Sequence, residues 1–135
     1  ISAITKIKSY LDYGIFTPLQ IAATIAINEC DEYPAMMRDI YKERRDIFVN
    51  IVKEAGWDVT IPDASMFIWT KLPKKFKSLS SLEFSKLLLE KANVAVSPGN
   101  GFGAHGEGYV RISLVENKNR IRQGAKNIKK LLLES

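Results

Sequence analysis

An α+β fold is what this sequence predicts: a small, mainly antiparallel sheet covered by helices on one face, in the manner of an α/β sandwich. Three observations carry that expectation. Apolar residues recur at helical spacing through the first half, and the period drops to two after Gly56. Capping residues, prolines and glycines then cut the second half into short strands and helices. A chain of 135 residues fits one domain, or a domain plus a piece of another. Hydrophobic residues at 46% and charged residues at 26% exclude wholesale disorder.

Ile4, Ile7 and Leu11 read as the tail of a helix, broken at Asp12-Tyr13-Gly14, with the glycine suited to a helix C-terminus. Thr17-Pro18-Leu19-Gln20 then reads as a capping box with proline at the first helical position. The helix that follows, Pro18 to about Glu29, is apolar nearly all round and should be buried on several sides.

Tyr33-Pro34 opens the longest helix, which ends near Ala55. Its stripe runs Tyr33, Met36, Met37, Ile40, Tyr41, Ile47, Phe48, Ile51, Val52 and Ala55, interrupted only at Arg44. Trp57, Val59 and Ile61 alternate as a strand ending at Pro62, and Met66 to Leu72 is a second strand stopped by Pro73. Ser80-Ser81-Leu82-Glu83 is another capping box, starting a helix through Ala92. Val94 to Val96 reads as a short strand and Tyr109 to Leu114 as the last one. Asn117 caps a closing helix carrying Ile121, Ala125, Ile128, Leu131 and Leu132 on one side.

Charge and composition narrow the function classes. The net charge is +5, but its clusters (Lys74, Lys75 and Lys77; Lys126, Lys129 and Lys130) are small and interleaved with acidic residues. Phosphate tracking needs a contiguous basic stripe, so nucleic-acid binding is not expected. One cysteine, Cys30, fits a reducing, cytoplasmic setting and excludes an internal disulfide framework. With His105 as the single histidine, no metal site is expected. No apolar run approaches the roughly 20 residues of a membrane helix, so no membrane association is expected. The three methionines are placed on core faces, and Cys30 as a small, at most half-buried hydrophobe.

Gly101-Phe102-Gly103-Ala104-His105-Gly106 fits G-x-G-x-x-G, yet it leads into a strand. The dinucleotide fingerprint needs a helix N-terminus at that point, so the reading here is a flexible loop with positive φ at several glycines. His105 in that loop has no nucleophile in a recognisable elbow beside it. Arg111 is more informative. In Tyr109-Val110-Arg111-Ile112-Ser113-Leu114, alternation puts Val110, Ile112 and Leu114 on one face and Tyr109, Arg111 and Ser113 on the other. A strand arginine is either salt-bridged, solvent-facing on an edge strand, or kept for an anion, and its planar fork suits a carboxylate.

These residues also carry a resemblance. Ser97-Pro98-Gly99-Asn100-Gly101-Phe102-Gly103 followed by Gly106-Glu107-Gly108-Tyr109-Val110-Arg111-Ile112-Ser113-Leu114 resembles the C-terminal signature of the class I/II pyridoxal-phosphate aminotransferases. Pro62 to Trp69 resembles the strand pair before it, Gly14 to Gln20 the entry to the interdomain region, and Asn117 to Arg122 the closing helix. Within the family the chain is most similar to the alanine (glutamate–pyruvate) and diaminopimelate-type branch, with aspartate aminotransferases near by.

The resemblance implies amino-group transfer between an amino acid and a 2-oxo acid through lysine-bound pyridoxal phosphate, in a fold-type-I homodimer. The arginine matching Arg111 grips the substrate's α-carboxylate in that family. Its Schiff-base lysine lies in a Ser-x-x-Lys segment followed by Gly-Trp-Arg, and none of the 14 lysines here has that context. With Ile1 rather than Met at its start, the chain is therefore expected to be a C-terminal piece, inactive alone and without cofactor-binding residues identified in it. Residues 1–30 would be the end of the large domain and 31–135 the small domain, with the boundary at Asp31-Glu32-Tyr33-Pro34. Two other classes stay open: a pyridoxal-phosphate lyase or synthase on the same fold, and a non-catalytic α+β binding module.

Overall fold

The computed structural model describes residues 1–11 and 14–134, so the expected break at Asp12 and Tyr13 lies outside the described residues. Two compact units are present, Ile1–Met37 and Arg38–Ser135.

In the first unit, α1 (Ser2–Leu11) and α2 (Thr17–Glu29) are where the apolar periodicity puts them. The capping differs. Phe16 occupies the N-cap position with no side-chain hydrogen bond, Thr17 is already helical, and the Gln20 amide donates back to the Ile15 carbonyl instead of closing a box. Pro18 keeps its place in the first turn, where a missing N–H leaves nothing unsatisfied. No residue of α1 or α2 is buried, and Leu19, Ile21, Ile25 and Ile27 are all exposed. The all-round apolar character of α2 is therefore not matched by burial within this chain. Contiguous exposed apolar area drives association. We expect the chain alone to self-associate in light scattering; a monodisperse monomer would contradict this.

α3 (Glu32–Lys53) begins in the first unit and ends in the second. Only its C-terminal half is buried, through Phe48, Val49 and Val52. Met36 and Met37 are exposed, as is Met66, against the expectation that all three line a core. Their apolar positions lie where no neighbouring element covers them among the described residues. Arg44, the break in the stripe, has a job there: its Nη1 donates to the carbonyls of Leu114 and Val115 at 3.0 and 3.1 Å, beyond the end of the central strand.

The second unit is built on a three-stranded antiparallel sheet ordered β1 (Phe67–Lys71), β3 (Tyr109–Ser113), β2 (Ser97–Pro98). Its helices are α4 (Ser81–Ala92) and α5 (Lys118–Glu134). One sheet face, carrying Ile68, Thr70, Val110 and Ile112, is buried in a core with Phe84, Leu88, Ile121, Ala125 and Ile128 from the helices and Val52 and Trp57 from the α3 end. The α+β layout with one face covered is thus the observed one.

Two expected strands are absent. Trp57 to Pro62 alternates as a strand would, and Trp57 and Val59 are buried. The Val59 N–H, however, donates to the Trp57 carbonyl at 3.0 Å, a three-residue turn that removes the donor a ladder needs. Trp57 is instead fixed by its indole N–H on the Lys71 carbonyl and by edge contacts with Phe48 and Phe84. Val94 to Val96 also forms no strand. The Val94 N–H is taken by the Leu88 carbonyl at the left-handed Asn93 terminus of α4, and pairing starts only at Ser97. Pro98, lacking an N–H, keeps β2 at two residues.

Both downstream caps are as the sequence indicates. Asn117 Oδ1 accepts from the Asn119 and Arg120 N–H groups. At α4 the box is closed: Ser80 Oγ accepts from the Glu83 N–H at 3.2 Å, and the Glu83 carboxylate accepts from the Ser80 N–H at 2.8 Å. Hydrogen bonds from the Ser80 hydroxyl and N–H hold the Glu83 carboxyl below the usual glutamate range. The Ser81 N–H does the same to Glu107, which ties the start of α4 to the loop before β3. A carboxyl lowered in the fold adds stability that is complete above its unfolded value, about 4.3, and is lost as pH falls through the native value. Thermal midpoints should therefore fall as pH drops below about 4. Glu83→Gln and Glu107→Gln should each flatten that decline, and parent-like curves in both would remove this account.

Candidate functional site

The open face of the sheet is the candidate site. Register sets Arg111 of β3 opposite Trp69 of β1 on one side and Ser97 of β2 on the other, with Phe67 opposite Ser113 and Lys71 opposite Tyr109. Val110 and Ile112 enter the core, so Tyr109, Arg111 and Ser113 turn away from it, as alternation requires. Arg111 lies on the central strand and not on an edge.

Arg111 is half-buried among aromatic rings. Its Cζ lies 4.3 Å from the Phe67 ring centroid and 4.5 Å from that of Phe102. Trp69 meets Phe102 edge-on at 5.6 Å and stacks on Tyr109 at 5.4 Å, and Lys71 Nζ sits over Tyr109. Nη2 donates to Ser97 Oγ at 3.4 Å, a long contact, and the buried Nε has no hydrogen-bond partner among the described residues. No described carboxylate pairs with the guanidinium either. An unsatisfied buried donor costs about 1–3 kcal/mol. Arg111 thus lies on the central strand with no carboxylate partner among the described residues. A planar guanidinium suits an anion such as a carboxylate.

The loop that delivers Phe102 is shaped by glycine. It forms two short 3₁₀ turns, Gly99–Phe102 and Ala104–Gly106, and then runs into β3 with no helix after it. Positive φ occurs at Gly103 and Gly108. Gly99 and Gly106 serve a different need: a Cβ on Gly106 would stand 1.9 Å from the Gly99 carbonyl oxygen, and one on Gly99 would stand 2.1 Å from that of Gly106. The two backbones touch, which closes the loop on itself. His105, in the second of these turns, is exposed. Cys30 is half-buried at the end of α2.

Elsewhere, a cleft of about 480 Å³ opens beside the end of β1, lined by Trp57, Lys71, Lys74, Lys77 and Tyr109, and does not include Arg111. Among the described residues no three His, Cys, Asp or Glu side chains gather as a metal set, and no helix is long and apolar enough to cross a membrane.

Residues 1–128 match the family model of aminotransferase class I and II. The chain belongs to the class I and II aminotransferases. Among curated relatives, it is 58% identical over 132 residues to the putative aminotransferase AatC of Rhizobium meliloti (strain 1021), covering 98% of this chain and 33% of that protein. It is 49% identical to the glutamate-pyruvate aminotransferase AlaC of Escherichia coli (strain K12), over 96% of this chain and 31% of that one. An LL-diaminopimelate aminotransferase of Natranaerobius thermophilus is 44% identical over 95% of this chain and 32% of its own length. Of solved structures, substrate-bound BacF from Bacillus subtilis superposes with a TM-score of 0.87 at 34% identity, covering 96% of this chain and 33% of that one. The aminotransferase chain therefore spans about a third of the length of the relatives it matches.

The family resemblance singled out Arg111 but not what surrounds it. Phe67 and Trp69 have Arg111's facing only once the β1–β3 register is known, and Phe102 only once the glycine loop is folded. The one available signal for Phe102 was its position between two glycines.

Proposed function

We propose that the whole protein is a pyridoxal-phosphate-dependent aminotransferase, a cytoplasmic homodimer that moves an amino group between an amino acid and a 2-oxo acid. In it, Arg111 holds the substrate's α-carboxylate. Residues 1–30 would end the large domain and 31–135 form the small one. The observation that carries the reading is the Arg111 guanidinium, with no carboxylate partner among the described residues, on an open, aromatic sheet face in a chain that matches this family from residue 1 to 128.

Bound to the protein, pyridoxal phosphate supplies the electron sink for amino-group chemistry. The described residues fit the substrate's carboxylate and not the cofactor's aldehyde. Thirteen of the fourteen lysines are exposed, and the other, Lys129, is half-buried and pairs with Glu54. None of the fourteen is buried in the structure described. In this reading the reactive lysine belongs to the part of the relatives that this chain does not span. Here the chain's own contribution is binding and orientation. Two parallel N–H···O bonds from the guanidinium fix the carboxylate's plane, and so fix which way the α-carbon's substituents point.

The test pairs two assays. The whole protein, supplied with pyridoxal phosphate, should transaminate alanine, glutamate, aspartate or diaminopimelate with a 2-oxo acid acceptor. The isolated chain should give only weak, non-saturating absorbance changes when the cofactor is added. Absence of transfer across that panel, or a saturable one-to-one spectral change in the isolated chain, would sink the assignment.

A further inference from the structure

We propose that Phe102 is a positioning residue for carboxylate binding: together with Phe67 it holds the Arg111 guanidinium in place, leaving its donor edge for the substrate. This rests on the role given to Arg111 above.

Arginine has a long, rotamer-rich side chain, and ordering it at the moment of binding weakens affinity. Among the described residues no carboxylate orders it, Nε has no partner, and Ser97 Oγ is 3.4 Å away. What lies against the guanidinium is two ring faces from separate elements, Phe67 of β1 and Phe102 of the glycine loop. Ring stacking is the interaction that keeps a guanidinium planar against a surface while leaving its N–H groups to point sideways.

Phe102 is 53% exposed, so burial does not account for its position. Its place is set from outside: the Gly99–Gly106 backbone contact closes the loop, Gly103 at φ +116° turns the chain directly after it, and Trp69 braces the ring edge-on at 83°. An exposed phenylalanine fixed on three counts, with its face on the arginine, serves the arginine's orientation. Substituting it should therefore read out in substrate binding rather than in stability.

The experiment uses the whole aminotransferase with its cofactor. Phe102→Leu, which keeps apolar bulk but has no π face, should raise KM for amino acids about three- to tenfold with little change in kcat, the range expected for a partly desolvated cation–π contact. Phe102→Tyr, which keeps the face, should recover most of that loss. Turnover of a simple amine without a carboxylate should not follow the pattern. In the Arg111→Lys background, Phe102→Leu should add little, because an ammonium has no plane to orient. If Phe102→Leu does not fold, Phe102→Met is read in its place. Equal effects of Leu and Tyr, equal losses for amine and amino acid, or a parent-like KM would each overturn the proposal. If Arg111→Lys itself spares amino-acid turnover, the carboxylate assignment fails and this role with it. If Arg111→Lys is damaging and Phe102→Leu is not, this role alone fails.

Discussion

Replacing Arg111 with lysine in the whole enzyme should lower kcat/KM for amino acids by roughly one and a half to three and a half decades. Truncating one partner of a desolvated, hydrogen-bonded charge pair costs about 2–5 kcal/mol, and each 1.36 kcal/mol is about tenfold. In the proposed role, lysine keeps the charge but presents a point, so bidentate pairing would be lost along with the contacts to Phe67 and Phe102. Cofactor affinity should barely move, and a simple amine lacking the carboxylate should be much less affected. The deciding measurement is that comparison of amine with amino acid. Equal damage to both would make Arg111 a structural strut.

The second large effect is on stability. Gly106→Ala places a Cβ 1.9 Å from one backbone oxygen and 2.5 Å from a carbonyl carbon, and neither neighbour is a side chain that can swing aside. Overpacking of this kind costs about 1–3 kcal/mol and sometimes more. In a chain of this size that lowers the thermal midpoint by roughly 4 to 15 °C. Gly99→Ala should behave alike, since its Cβ would meet the Gly106 and Tyr109 carbonyls. Gly101→Ala is the control: nothing lies within 4 Å of its Cβ and its φ is not positive, so it should be nearly neutral. If Gly101→Ala and Gly106→Ala shifted the midpoint equally, the close backbone contact would not be what demands glycine.

Local chemistry was legible where it acts locally. The Ser80–Glu83 box, the Asn117 cap and the alternation of Tyr109 to Leu114 each need only neighbours a few residues away, and each is in the fold as the sequence indicates. The Thr17 box failed because Phe16 took the cap position one residue earlier, a one-step shift that spacing cannot resolve. Arg44 looked like a flaw in a stripe. Only the end of β3, some seventy residues on, shows that it ties down two carbonyls there.

What the sequence by itself determined is the class of fold, the order of helices along the chain and the family signature. Tertiary structure decided the rest. Trp57 to Pro62 had the right period for a strand and no partner to pair with, because a ladder is made between segments and not within one. Gly99 and Gly106 looked like loop freedom and are a contact between two backbones. The rings on Arg111 come from residues 44 positions before it and nine before it, brought together by strand register and loop closure. Period and propensity act along the chain; what surrounds a charge depends on where the rest of the chain returns.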